Sequence, residues 1–476
     1  MAVVDPAISD RATARPAATL AVPRLAWLFL IYALPTMLFL AITMPPCQVT
    51  DEFAHALRAD QISRGTFISH QLGGRIDGAL DAFGNLYSGL HSRFRDEVKV
   101  AVDVARQAGA LQWSVPEYDE NFQNTAQYGP VLYLPQAAGL WLGKLTGLNP
   151  AWTVLVARLL NGLAATLVGF FALCLCRRGQ ALTFTTLLLP MTVSPFGSLS
   201  QDALIITFPI LAAALASRII AERRPAAVWE FTLFAFIVVA STLARPSQVA
   251  LATLGLAFVQ WPEPLWRRKA VIIVIALACI AWWMHILPTL MPEPPPGASE
   301  SGQLGVILSS PLALPTVLAQ TLFNRGSWLF ETLVGYLGWL DTPLPNWYYA
   351  VAIVVLICAW LAPGNTRPFA RPALIAALTF LAVLMAASAA LYMSWTPVGS
   401  ATIHGVQGRY LLPVLPLLAW LVPAYGPRLA RLASPAWLVI VAFPLLSLAV
   451  LPGVIMARYY GSWAAMGDVL RALFLP

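Results

Sequence analysis

Apolar runs of membrane-crossing length recur along this chain, separated by short polar clusters. The first covers about residues 25–44. Others follow at 151–176, 181–198, 202–221, 226–244, 246–262, 270–290, 346–362, 373–394, 410–425 and 436–456. A transmembrane helix needs roughly 17–25 such residues. The pattern predicts an all-α polytopic membrane protein with about eleven transmembrane helices. Two stretches interrupt the rhythm. Residues 45–150 form a long first loop with turn signals in "QLGGRIDG" and "DAFGN" and a helical stretch, "RFRDEVKVAVDVARQAG". Residues 291–345 form a second loop, Pro-rich at "MPEPPPG", with an apolar patch near 328–340 that looks re-entrant.

Charge sets the orientation. Basic clusters sit at Arg177–Arg178, Arg223–Arg224, Arg267–Lys269, Arg367 and Arg371, and Arg428 and Arg431. Lys and Arg concentrate in cytoplasmic loops. All five clusters share one side if residues 128–147 lie as a Pro-interrupted, amphipathic helix at the outer interface. The reading is then a cytoplasmic tail over 1–24, a membrane domain over 25–456 and an extracytoplasmic tail over 457–476. Both long loops fall outside. The run 25–44 exceeds a signal-peptide core, and no small-residue cleavage site follows it. No internal repeat is visible.

Composition agrees. Only 11% of residues are charged and 59% are hydrophobic, against about 25% charged in soluble domains. The net charge of +7 comes from the loop clusters, so nucleic acid is excluded as a partner. Cys174, Cys176, Cys279 and Cys358 lie in apolar runs and only Cys47 outside them, so no disulfide framework is implied. Zinc-protease, CxxC, GxSxG and P-loop patterns are absent.

The unusual polar groups gather on the outer face. Asp51, Glu52, His55 and Arg58 follow the first run; Asp202 lies in "SLSQDAL", Arg245 in "LARPSQ", Trp339 and Asp341 in "GYLGWLDTPLPNWYY", and His404, Gln407 and Arg409 in "IHGVQGRYLLP". Ionisable groups at membrane depth are costly and mark sites. Two readings stand for each. Residues 51, 55 and 58 share a helix face and supply either a base with its holders or a capped helix start with an ion-pair ladder. Arg409 forks onto phosphate oxygens or snorkels to lipid headgroups. Arg245 is a second phosphate contact or an ordinary loop residue. Asp202 is a site residue or a helix cap. Trp339 and its neighbours stack on sugar or form an interfacial aromatic belt.

Six motifs in this order resemble a bacterial membrane-protein family, domain of unknown function 2142. They are "PPCQVTDEFAHALRADQISRG", "YGPVLYLPQAAGLWLG" (opened by Tyr128), "SLSQDALIITFPIL", "ARPSQVAL", "GYLGWLDTPLPNWYY" and "HGVQGRYLLPVLPLL". Four residues separate Pro46 from Asp51 here, where that family often reads P-x-D-E-x-x-H. The family in turn resembles the GT-C membrane glycosyltransferases. That likeness implies a multi-pass protein of the bacterial inner membrane with its active site on the extracytoplasmic side. It implies inverting transfer of a sugar from a polyprenyl-phosphate-linked donor to a glycan or lipid-linked acceptor. The acidic motif maps to Asp51 and Glu52. Asp51 is then the expected base and Glu52 its partner, or both bind a divalent cation. The likeness assigns no role to "GVQGRY"; because a phosphate leaving group needs positive charge, Arg409, with Arg245 or Arg58, is expected there, and His55, Tyr128, Asp202, Trp339, Asp341, His404 and Gln407 at the substrates. The rival reading is a transporter or flippase of lipid-linked sugars, which needs polar groups at the bilayer midplane; few charges sit mid-span.

Overall fold

The computed structural model describes residues 23–88, 98–113, 116–259, 263, 265–362, 370–422 and 433–475. Most of the cytoplasmic tail read from sequence, together with Arg367, Arg428 and Arg431, lies outside them. The protein is predominantly helical. Its principal helices are α1 (Arg24–Thr43), α2 (Glu52–Ser63), α3 (Gly78–Ser88), α4 (Val102–Ala110), α5 (Leu134–Leu145), α6 (Pro150–Leu175), α7 (Gln180–Leu188), α8 (Asp202–Glu222) and α9 (Val228–Ala244). Then come α10 (Trp266–Ile286), α11 (Glu300–Ser309), α12 (Ala313–Asn324), α13 (Gly326–Val334), α14 (Asn346–Leu361), α15 (Ala370–Ser394), α16 (Ala433–Ile455) and α17 (Trp463–Phe474).

Six helical segments among the described residues are long and apolar enough to cross a membrane: Arg24–Thr43, Pro150–Leu175, Asp202–Glu222, Trp266–Thr289, Arg371–Ser394 and Pro435–Tyr460. A bent pair, α11 and α12 at 105°, would make a seventh. The remaining expected spans are shorter or broken, and proline accounts for most of this. Pro190 and Pro195 split 181–198 into α7 and two short turns. Pro246 starts a 3₁₀ helix that ends at Phe258. Pro413 and Pro416 leave the described part of 410–425 as 3₁₀ turns. Each proline removes a backbone donor and clashes with the preceding turn.

Helix α8 is the centre of the bundle, with 83% of its apolar window buried, whereas α10 is at the rim, with 11%. Helix α6 begins at a well-formed cap: Pro150 occupies the first turn, and the Trp152 amide donates to the Asn149 side chain at 3.0 Å. Helix α5 lies against α6 through two glycines. A Cβ on Gly139 would strike the Ala157 backbone, and one on Gly143 the Thr153 side chain. Small residues four apart let membrane helices approach closely. Gly139→Ala is therefore expected to destabilise the protein by about 1–3 kcal/mol, read as a lower thermal midpoint in detergent.

Between α1 and α6 the chain folds into α2–α5 and a two-stranded antiparallel sheet, β1 (Gly73–Ile76) with β2 (Tyr118–Asn121), in which Gly73 faces Asn121 and Ile76 faces Tyr118. A hairpin of β3 (Tyr336–Leu337) and β4 (Thr342–Pro343) follows α13. The last segment, expected as a tail, forms a π-helical turn over Met456–Tyr460 and then α17. Helix α17 packs on α4, where Gly109 abuts the Leu473 carbonyl.

Candidate functional site

The corner after α1 is held by an arginine. Arg158, within α6, donates to the carbonyls of Ala41 (3.0 Å), Met44 (2.7 Å) and Pro45 (3.2 Å). It also donates to both carboxylate oxygens of Glu52, each at 2.8 Å. Glu52 accepts further bonds from the amides of Leu199 (3.0 Å) and Val49 (3.4 Å). The two side chains are 3% and 1% exposed. Glu52 thus closes a buried junction of α1, α2, α6 and the turn before α8. It does not work beside Asp51, because the two carboxylates point to different places.

Asp51 sits just before α2 in the left-handed region, at φ 59°. Asp is among the few residues that visit this region readily. Its backbone carbonyl accepts the His55 amide at 3.0 Å, while its carboxylate makes no capping bond. The helix-cap reading therefore does not describe this side chain. The carboxylate lies in a cavity wall and accepts one bond, from Asn124 Nδ2 at 3.3 Å.

The β3–β4 hairpin braces the segment leading to Asp51. Thr50 Oγ1 donates to the Gly338 carbonyl at 3.0 Å, and Trp339 Nε1 to the Cys47 carbonyl at 3.0 Å. Asp341 secures the hairpin itself. It accepts the Trp339 amide (3.1 Å), the Thr342 hydroxyl (3.0 Å) and Arg458 Nη2 (2.7 Å).

Arg409 also lines this cavity, while its neighbours Asp202 and Arg245 do not. Arg409 follows Gly408, whose amide donates to Thr332 Oγ1 at 2.8 Å and where any Cβ would meet the Leu329 carbonyl. Asp202 joins Arg245 at 2.5 Å and Arg409 at 3.4 Å. Both guanidinium groups face the Tyr410 ring, at 5.4 and 5.8 Å. Arg409 Nε and Gln407 Oε1 are closed off from the cavity and have no partner. His404 does not line the cavity; it meets Ser400 Oγ at 3.3 Å.

The cavity measures about 720 Å³. Its lining includes Asp51, Asn124, Tyr128, Gln407, Arg409 and Tyr410, together with Trp328, Tyr336, Trp339 and Trp395. This size and mixture of aromatic walls with a few polar groups suit a small ligand. The divalent-cation site considered for Asp51 and Glu52 is not formed by these residues. Glu52 is committed to Arg158, and among the described residues no three His, Cys, Asp or Glu side chains gather to hold a metal.

His55 and Arg58 lie behind the Tyr128 wall. His55 Nδ1 is 2.6 Å from the Tyr133 hydroxyl, and its ring stacks on Tyr128 at 6.2 Å. Burial lowers its pKa, against the opposing pull of Asp202 and Asp51. A histidine buried neutral stabilises fully above its ordinary value of about 6.5, and that contribution is lost as pH falls below it. The thermal midpoint in detergent should therefore drop on acidification below pH ~6.5, with a flatter profile for His55→Gln. Arg58 is fully buried. It donates to Gln61 Oε1 (2.5 Å) and to the carbonyls of Phe67 (2.6 Å), Thr66 (3.2 Å) and Tyr128 (3.3 Å). Burial pushes its pKa down to about 10. Arg58 is a loop clamp away from the cavity, which corrects its expected place at a phosphate.

A family model described as Predicted membrane protein (DUF2142) matches residues 34–418. The chain belongs to this family. Comparisons with curated proteins and with solved structures return no match. The matched region of this DUF2142 protein includes every residue of the cavity wall described above. Arg458 lies beyond it. Arg158 and Arg458 are the two structural arginines that the sequence motifs did not single out. An arginine well inside an apolar run, as Arg158 is, was the available signal. Nothing local in the sequence pairs Arg458 with Asp341.

Proposed function

We propose that this protein is a GT-C-like membrane glycosyltransferase. It moves a sugar from a polyprenyl-phosphate carrier to an extracytoplasmic glycan or lipid-linked acceptor with inversion. In this reading the shorter apolar helices complete a bundle of about eleven crossings, and the region between α1 and α6 covers the outer face. The observation that carries the proposal is the presence on one cavity lining of a carboxylate that caps no helix, Asp51, and the guanidinium-bearing Arg409.

The chemistry follows from those two groups. An acceptor hydroxyl attacks the anomeric carbon and gives its proton to Asp51. A new glycosidic C–O bond forms as the C–O bond to the carrier phosphate breaks. The phosphate leaves as a stable anion, so it needs positive charge rather than a general acid. Arg409 supplies that charge. Trp339 and Trp395 offer faces on which a sugar ring packs.

The test is genetic and chemical. The gene is deleted and complemented with wild type or Asp51→Asn, and polyprenyl-phosphate-sugar pools and surface-polymer sugars are measured. The expected result is loss of one sugar and accumulation of its lipid donor, reversed by wild type alone. Full restoration by Asp51→Asn would leave transport of a lipid-linked sugar as the better reading.

A further inference from the structure

Helices α11 and α12 bend by 105° about a short break at Ser310–Leu312. Between Glu300 and Arg325 the sequence carries no charged residue. That composition suits a span, but the two ends of the pair meet the same cavity. Glu300 opens α11, Trp328 follows α12 within α13, and both line the cavity that holds Asp51. Both helices are also tied to the loop after α15. Gln303 Nε2 donates to the carbonyls of Thr396 and Pro397 at 3.0 and 3.3 Å, and Thr321 Oγ1 accepts the Ile403 amide at 2.8 Å. A segment that returns to the loop it left has not crossed.

Between these anchors the pair packs along α15. Ile307, Leu314 and Val317, on either side of the break, pack into one apolar cluster with Leu384, Met385 and Leu391 of α15. Leu384 lies about ten residues before Ser394, which lines the cavity, so the cluster extends roughly 15 Å along α15 from its cavity end. That is about half of the hydrocarbon core. The rest of the pair's surface is apolar and uncovered by protein: Leu308, Leu312 and Phe323 are 74%, 72% and 90% exposed. It adjoins the exposed side of α15, a membrane-crossing helix whose apolar window is only 28% buried. The break itself leaves few donors to satisfy. The Ser310 amide donates to the Val306 carbonyl and the Ala313 amide to the Ser310 carbonyl, each at 2.9 Å, and Pro311 has no N–H. Ser309 Oγ donates to the Val306 carbonyl at 3.0 Å. Backbone at membrane depth requires such internal partners.

We infer that α11 and α12 form a re-entrant hairpin, dipping into the leaflet on which the cavity opens and covered there by lipid acyl chains. The charged ends, Glu300 and Arg325, stay at the water side with the cavity, and the bend at Ser310–Leu312 is the deepest point. Exposed leucine and phenylalanine side chains at that depth are what a bilayer covers, whereas in water they would form an apolar patch. The re-entrant element is therefore residues 300–324, not the patch at 328–340, which folds as α13 and the β3–β4 hairpin. The inference is independent of the chemistry proposed for Asp51.

Two experiments on the full chain test this. In the first, p-benzoylphenylalanine replaces Leu308, Leu312 or Phe323, the protein is placed in phosphatidylcholine nanodiscs and irradiated, and adducts are read by intact mass. Ile275, 58% exposed within the span α10, is the lipid-facing control, and Arg75, 70% exposed beside β2, the water-facing one. Phosphatidylcholine adducts at all three positions, as at Ile275 and not at Arg75, are expected. Their absence, or crosslinks to a second copy or another protein in their place, overturns the lipid cover. In the second, Ser301→Cys and Asn324→Cys, both at exposed positions, are treated with an impermeant maleimide in spheroplasts before and after permeabilisation, with wild type as the blank. Both should label from the same side. Labelling of one before permeabilisation and the other only after it would make the pair a broken span and overturn the hairpin, as would failure of both to label at all. This test stands even if the photoprobe variants do not fold.

Discussion

Arg158→Ala should yield little stable protein in detergent, and Glu52→Gln a protein that melts well below wild type. The pair is nearly inaccessible to water, and removing one partner of such a pair strands the other charge at about 3–5 kcal/mol. The two losses should not be equal. Glu52→Gln leaves Arg158 bonded to three carbonyls at the end of α1 and keeps a neutral acceptor in place. Arg158→Ala orphans those carbonyls and the carboxylate together, and each unsatisfied buried group carries its own cost. An apolar replacement of both residues removes the stranded charge but not the orphaned carbonyls, so Glu52→Leu with Arg158→Leu should recover only part of the loss. Thermal midpoints by size-exclusion chromatography of the detergent-solubilised variants give the ranking. A wild-type midpoint for Arg158→Ala would show that the corner is held by something else.

The sequence showed this region as important and misassigned its labour. Asp51, Glu52, His55 and Arg58 form one polar cluster by spacing, and helical periodicity places 51, 55 and 58 on one face. The left-handed backbone at Asp51 takes its side chain out of that register, and no periodic pattern signals such a turn. Arg58 and Glu52 carry the charges expected at a site, yet each is consumed by partners that fold into place around it. For Glu52 the decisive partner is Arg158, 106 residues away in the chain. For Asp341 it is Arg458, 117 residues away. Pairings over such separations leave no trace in a local pattern.

Hydrophobic length was a better guide to where apolar segments lie than to their shape. Runs such as 181–198 and 246–262 are apolar throughout much of their length, but Pro190, Pro195 and Pro246 turn them into short helices and 3₁₀ turns. The prolines were visible in the sequence. What could not be read was whether neighbouring helices would satisfy the freed carbonyls and keep a kinked span intact, the usual fate of proline in a membrane bundle. Gly408 of "HGVQGRY" lies directly against the Leu329 carbonyl, a close approach that leaves no room for a side chain. That contact positions Arg409 in the cavity wall.

Asp51→Asn should separate chemistry from folding where Glu52→Gln cannot. Asparagine tolerates the left-handed backbone nearly as well as aspartate, retains an oxygen for the Asn124 bond and disturbs no cap. Its stability should change by less than about 0.5 kcal/mol, as for a partly exposed substitution outside any buried network. An amide cannot take the proton of an attacking hydroxyl, so the proposed transfer should fall by about 10²–10⁴-fold, the usual worth of a positioned base. Binding of a phosphodiester probe should remain, because Arg409 is untouched. This combination of intact melting, intact binding and lost turnover belongs to a base alone. A structural role for Asp51 would move the melting temperature, and a role in holding the donor would move the dissociation constant. The neighbouring Glu52→Gln, one residue along, should show the opposite order, with stability lost first and activity only as folded protein disappears.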